Sequence, residues 1–343
     1  MYPKLKYLYF LPVFAACLAS SCSSDTPDNV EVKKGSEMSF AVSNLTRASE
    51  TTSFNKFVLF GDMKFPVDNN TDPSTIFNKT EVEYKNNIWS YEGRQYWFPK
   101  HEHSFVAVAP ASVLETENNL QYLNSQLSFT YIIPTTDGMP SENSNVADIL
   151  VATHRRLYNE NDKNSTTTFH FSHIMSKINL APQFDDNMMS DKDYLEFRKL
   201  ELSGIKAKAT FTILPASRQS NSQTDDRVIE ITDHETARDL AIEFTDPVKV
   251  ANDSKSVNLF KDNDAIIMLP QDFASDSDAK IVLSYTISSD PTIKQVSLPL
   301  VNKNWESGKS YTYRFTINRT GAHFDTTTIT DWDTLNVGDF DAH

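Results

Sequence analysis

Cysteine is almost missing from this sequence: Cys17 and Cys22 are the only two in 343 residues. No disulfide framework can therefore staple the part of the chain that follows, and no cysteine ligands are available there for zinc. Glycine is scarce as well, with 8 residues, too few to favour the glycine-rich loops that cradle phosphates. Neither an H-E-x-x-H zinc helix nor a G-x-S-x-G nucleophile elbow occurs. Basic residues are the minority sign, 32 Lys and Arg against 46 Asp and Glu for a net charge of -14. A nucleic-acid backbone would be repelled by that balance. After the first twenty-one residues, no window approaches the ~18 uninterrupted apolar residues of a membrane-spanning helix.

What the sequence does have is β-forming material and a distinctive start. Thr, Ser, Phe and Tyr are plentiful and aromatics reach 11%, which suits pleated surfaces better than helices. The length is enough for roughly two domains of ordinary size. At the start, Lys4 and Lys6 precede the apolar run Tyr7–Ala19, interrupted by Pro12, and small residues follow. That is the pattern of a secretory signal peptide over residues 1–21. Ala19, Ser20 and Ser21 directly before Cys22 resemble the lipobox of bacterial lipoproteins, in which the cysteine thiol is acylated and becomes the new N-terminus. Ala19 departs from the usual leucine, and Cys17 is a competing site with a shorter apolar run before it. Ordinary secretion with two incidental cysteines is the plainer reading. Asp25 and Asp28 resemble the surface-export signal of Bacteroidales lipoproteins. Residues 22–36 are polar, lack periodicity and read as a flexible tether.

From there alternation dominates. Glu81–Phe98 reads as a hairpin with Asn86-Asn87 as its turn, which sets Tyr84 opposite Trp89 and Val82 opposite Tyr91. Ser104–Pro110 is continuously apolar and reads as a central strand stopped by Pro110. Phe169 and Phe171 share a face, and Ala265–Pro270 repeats the buried run stopped by proline. Ile281, Leu283, Tyr285 and Ile287 align on one face. Tyr311, Tyr313, Phe315 and Ile317 point inward while Arg314 and its neighbours point outward. Helical signals are few: Ser190–Leu202 opens on a plausible N-cap and Asp233–Phe244 is long enough for about three turns, but neither carries a convincing amphipathic stripe. Many short strands without regular helices between them predict β-sandwiches, with a boundary near residue 165 between domains at 37–165 and 166–343.

Candidate chemistry is thin. His101 and His103 would share a strand face that zinc could use, and His170 and His173 form the other close pair, yet without further ligands packed or solvated histidines are the simpler expectation. Ser275–Asp278 and Asn161–Asn164 could hold calcium, with solvated loops as the default. Paired carboxylates of glycosidase type have no specificity among so many acids. Tyr84, Trp89, Tyr91, Tyr96 and Trp97 could stack on sugars if exposed, but their spacing fits a core. No catalytic residue, cofactor or metal site is expected.

The order of landmarks resembles the fimbrillin-like (Mfa-like) family of Bacteroidales, surface lipoproteins that build or decorate fimbriae. The residues that carry this are Cys22, Met38–Ala48 with its Thr-Arg-Ala element, Phe57–Asp62, the Ile88–Pro99 and His103–Pro110 stretches, Asp148–Ala152, Phe169–Leu180, Ile266–Phe273, Val296–Leu300, Asn304–Asn318 and Ile329–Asp333. The resemblance implies two tandem transthyretin-like β-sandwich domains and export as an outer-membrane lipoprotein anchored at Cys22. It implies cleavage by a trypsin-like protease after an arginine near the N-terminus, here Arg47, which releases the first strand, Met38–Leu45. A strand from another fimbrial subunit then fills the groove, a β-augmentation. An arginine in an ordinary strand connection is the competing reading of Arg47. Thr334–His343 makes a marginal donor strand, so a tip or accessory subunit fits as well as a stalk subunit. The rival functions are a monomeric surface lipoprotein that binds glycan or host protein without polymerising, and a secreted hydrolase on a sandwich scaffold.

Overall fold

The computed structural model describes residues 35–42, 54–65, 72–115, 119–134, 146–162, 165–187, 189–214, 228–232, 238–253, 255–260, 265–274, 278–300, 303–318 and 321–332. Within them the chain is all-β apart from one short 3-10 turn, Ala111–Leu114.

The strands in chain order begin with β1 (Ser39–Val42), β2 (Lys56–Lys64), β3 (Ser74–Lys85), β4 (Ile88–Tyr91), β5 (Glu102–Ala109), β6 (Gln121–Leu123) and β7 (Gln126–Ile132). There follow β8 (Leu150–Leu157), β9 (Thr166–Phe169), β10 (Ser172–His173), β11 (Ser176–Phe184), β12 (Tyr194–Ile205), β13 (Lys208–Leu214) and β14 (Val228–Thr232). The last are β15 (Arg238–Ala251), β16 (Ile266–Met268), β17 (Gln271–Asp272), β18 (Lys280–Ile287), β19 (Asp290–Pro299), β20 (Asn304–Trp305), β21 (Lys309–Asn318) and β22 (Gly321–Asp331).

An eight-stranded sheet in the order β10-β8-β5-β2-β3-β4-β1-β9 makes up the first part. β5 lies inside it between β8 and β2 and is buried along its whole length, with its apolar stretch running from Phe105 to Ala109. The β3–β4 hairpin closes at Asn86 and Asn87, both with positive φ, and pairs Tyr84 with Trp89 and Val82 with Tyr91. Register shifts between β2 and β3 flank Gly61, and such bulges let a strand bend. A side chain at Gly61 would meet the Phe105 ring at 2.7 Å.

The bend matters because the sheet curls over itself. Phe57 of β2 and Phe105 of β5 touch Phe169 of β9, at ring separations of 5.6 and 6.4 Å, although β9 lies at the far end of the strand order. One sheet thus supplies both layers around a phenylalanine-rich core of Phe40, Phe57, Phe77, Phe105, Phe169 and Phe171.

The opposite face of the same sheet, through Val58, Phe60, Val106, Val108 and Val151, joins a second and larger core. A sheet ordered β14-β13-β7-β6 packs there, with Phe129 stacked on Phe211 at 5.5 Å. Two further four-stranded sheets, β16-β11-β21-β22 and β15-β12-β18-β19, add Tyr311, Tyr313, Phe315 and Ile317 from one side and Leu195, Phe197, Leu200 and Leu202 from the other. The short pair β17–β20 sits beside them. Strand pairing runs across residue 165 in β1–β9, β8–β10 and β7–β13.

The two weak helical signals resolve as strand: where described, Ser190–Leu202 and Asp233–Phe244 contribute to β12 and β15, which pair antiparallel. The reason is visible in β12. A bulge between Phe197 and Lys199 inserts one residue into the alternation, so the buried positions run 195, 197, 200, 202, 205. That spacing is neither strictly period 2 nor a clean helical stripe.

Candidate functional site: the groove that holds the first strand

β1 and the residue before it enter the phenylalanine core through Met38 and Phe40. Ser39 and Ala41 alternate with Phe40 and Val42, so successive side chains point to opposite faces. Phe40 is buried against Phe77, Tyr91, Phe105 and Phe169, with ring centroids 5.5 to 5.9 Å away. Met38, two residues earlier, is buried on the same side. Burying two such side chains is worth about 1.5–3 kcal/mol each.

The backbone is held on both edges. β1 runs parallel to β9 from Ser39↔Thr166 to Val42↔Phe169 and antiparallel to β4 at Phe40↔Trp89. Upstream, the segment continues antiparallel to residues 95–97. The N–H of Gly35 donates to the Trp97 carbonyl at 2.7 Å, that of Trp97 to Ser36 at 3.0 Å, and that of Met38 to Gln95 at 2.8 Å.

Polar side chains fix the register. Tyr91 Oη donates to the Met38 carbonyl at 3.1 Å and accepts from the Gln95 N–H at 3.2 Å. Hydroxyl pairs join Ser39 to Thr166 at 2.7 Å and Ser36 to Tyr158 at 3.0 Å. Burial pushes the Tyr91 phenol above its ordinary value, so it stays a neutral donor.

The wall beside Gly35 is aromatic. Trp97 is fully buried and stacks on Tyr158 at 5.2 Å, with the Arg156 guanidinium 5.0 Å from the Trp97 ring centre and 5.3 Å from that of Tyr158. Trp97 Nε1 donates to the Ser165 carbonyl at 2.9 Å. Behind it His103 meets the indole edge at 4.8 Å and accepts the Phe98 N–H through Nε2. Burial first, then the nearby His101, drives the His103 pKa down to about 4, which keeps the imidazole neutral and able to accept.

The remaining candidates from the sequence fall as follows. Cys22, Cys17 and Arg47 lie outside the described residues, as do Ser43–Leu45 and Thr334–His343. His101 Nδ1 lies 2.9 Å from the Pro99 carbonyl. His173 pairs with Asp148 at 2.7 Å and stacks on Trp332 at 4.1 Å. His101, His103 and His173 therefore sit in packed or hydrogen-bonded surroundings while His170 is exposed, and among the described residues no group of His, Cys, Asp and Glu could hold a metal ion. The two calcium candidates lie partly outside those residues. Of the aromatics, Trp97 is buried, Trp89 and Tyr91 pack against the phenylalanine core, and Tyr84 is exposed. Sequence reasoning missed Gly35 and Tyr158. The only available signal was a rare glycine placed just ahead of the first alternating stretch.

The fimbrillin-like family matches residues 46–332. Among solved structures, a fimbrial protein from Bacteroides vulgatus is similar at 16% identity and a TM-score of 0.56, covering 88% of this chain and 100% of that one. A fimbrial assembly protein from Parabacteroides distasonis is 15% identical, covering 86% and 98% with a TM-score of 0.41. A protein assigned to cell adhesion from Bacteroides ovatus is 17% identical, covering 86% and 96% with a TM-score of 0.48. The curated proteins include no match. At these identities the first structure supports the fold alone, while the match over most of the chain carries the kinship: the chain belongs to the fimbrillin-like family.

Proposed function

We propose that the protein is a non-enzymatic structural or adhesive subunit of cell-surface fimbriae, exported as a lipoprotein acylated at Cys22 and held at the outer membrane. Proteolysis after Arg47 frees the segment that includes β1, and a strand from another subunit takes its place. The observation that carries this reading is the seating of β1 inside the sheet, with Met38 and Phe40 in the core, just ahead of residue 46, where the family match begins. Loss of this strand uncovers the β9 edge and an apolar stripe, the two elements that strand addition needs.

The test is limited trypsin digestion of the purified full chain, followed by N-terminal sequencing and electrophoresis. The expected result is a single early cut after Arg47 and SDS-resistant ladders. A chain that stays intact, or is only degraded, overturns assembly by this route. Palmitate labelling that persists in Cys22→Ser overturns the anchor.

A further inference from the structure

We propose that the groove accepts only strands that carry glycine at a fixed place, followed by apolar side chains three, five and seven residues later with an aromatic at the middle one. This rests on the strand-exchange reading above and adds the selectivity of the site: its partner is an extended segment of glycine-x-x-apolar-x-aromatic-x-apolar pattern, running parallel to β9. The resident segment defines the places as Gly35, Met38, Phe40 and Val42.

The apolar places are pockets. Met38 and Phe40 are buried in the phenylalanine core and Val42 packs at its border. The glycine place is a constriction. A Cβ at Gly35 would lie 2.7 Å from Tyr158 Cε1 and 2.9 Å from the Trp97 carbonyl oxygen, closer than packed atoms approach. Neither wall is free to retreat. The Trp97 indole is bonded to the Ser165 carbonyl. Tyr158 is stacked on that indole, covered by Arg156, and donates its hydroxyl to the Asp162 carbonyl at 3.3 Å. The same glycine donates its N–H to the constricting carbonyl at 2.7 Å, so a side chain that pushes the strand away also breaks that bond. Between glycine and the aromatic place, Glu37 is exposed and imposes no choice.

The direction of the occupant is set by the walls as well. The register with β9 is parallel and that with β4 antiparallel. A reversed strand would move its N–H and C=O groups out of line with both edges and with Tyr91 Oη.

The test uses fluorescein-labelled, end-capped peptides of residues 35–42 and the full chain carrying Gly35→Val with Phe40→Asp, whose own segment no longer seats. Anisotropy is expected to show saturable binding of the native peptide. The Gly35→Ala and Phe40→Asp peptides should bind at least about tenfold more weakly, and Glu37→Val within about twofold of native. Should the double variant fail to fold, the same peptides are exchanged into the wild-type chain after trypsin cleavage. A Gly35→Ala peptide that binds as tightly as the native one overturns the glycine requirement and leaves strand exchange standing. No binding by any peptide in either host overturns both.

Discussion

At the scale of single residues, Phe40 links the sequence pattern to the groove. It is nearly fully buried and touches aromatic rings from β3, β5 and β9. Phe40→Ala should lower the stability of the intact chain by about 3–5 kcal/mol, since the rings around it cannot collapse into the space. Urea unfolding followed by fluorescence measures it. Two histidines make a second prediction. Burial lowers His103 and His154 to about 4 in the folded chain, His101 adding to the first and Arg156 to the second. The unfolded chain takes up those protons near 6.5, its ordinary value. Between the two pH values the unfolded state therefore binds more protons, so this stability is fully present above about pH 6.5 and is lost as the pH falls toward 4. The urea midpoint should fall steadily over that range, and more gently in His103→Gln.

At the scale of strands, the legibility of the sequence depends on how regular each element is. β5 could be read directly because an unbroken apolar run stopped by a proline has few alternatives, and the Asn86-Asn87 turn because both residues must adopt positive φ. β21 matched its alternation, with Tyr311, Tyr313, Phe315 and Ile317 all buried. β12 was obscured by its bulge, which shifts the inward positions from 195 and 197 to 200 and 202 and so breaks the period. The groove was half legible. Phe40 and Val42 announced a strand, but the constriction at Gly35 is made by Trp97 and Tyr158, which only the fold brings to it. The pairing of β1 with β9 gives a prediction of its own. The Ser39 and Thr166 hydroxyls lie 2.7 Å apart, so Ser39→Cys with Thr166→Cys should oxidise to a cross-link between the two strands. The oxidised protein should still be cut after Arg47 yet form no ladders, and reduction should restore them.

At the scale of the whole molecule, the cores tie sequence-distant strands together. β9 and β10 complete the sheet begun by β1 and β2, and β13 covers β7. Residues 34–343 also form one compact unit. A fragment ending at residue 165 would lose the β9 edge, Phe169 and Phe171 from one core and Phe211 from the other. Such a fragment should show no cooperative thermal transition. The chain from residue 34 onward should unfold in one, as calorimetry would report, because a shared core couples its parts.

The place of β1 between β9 on one side and β4 on the other has a mechanical consequence. A pull along its length loads every backbone bond to its neighbours together, in shear, so none can peel off ahead of the rest. A fibre joined through this slot would resist tension far better than sideways prying, a fitting property for an appendage exposed to flow.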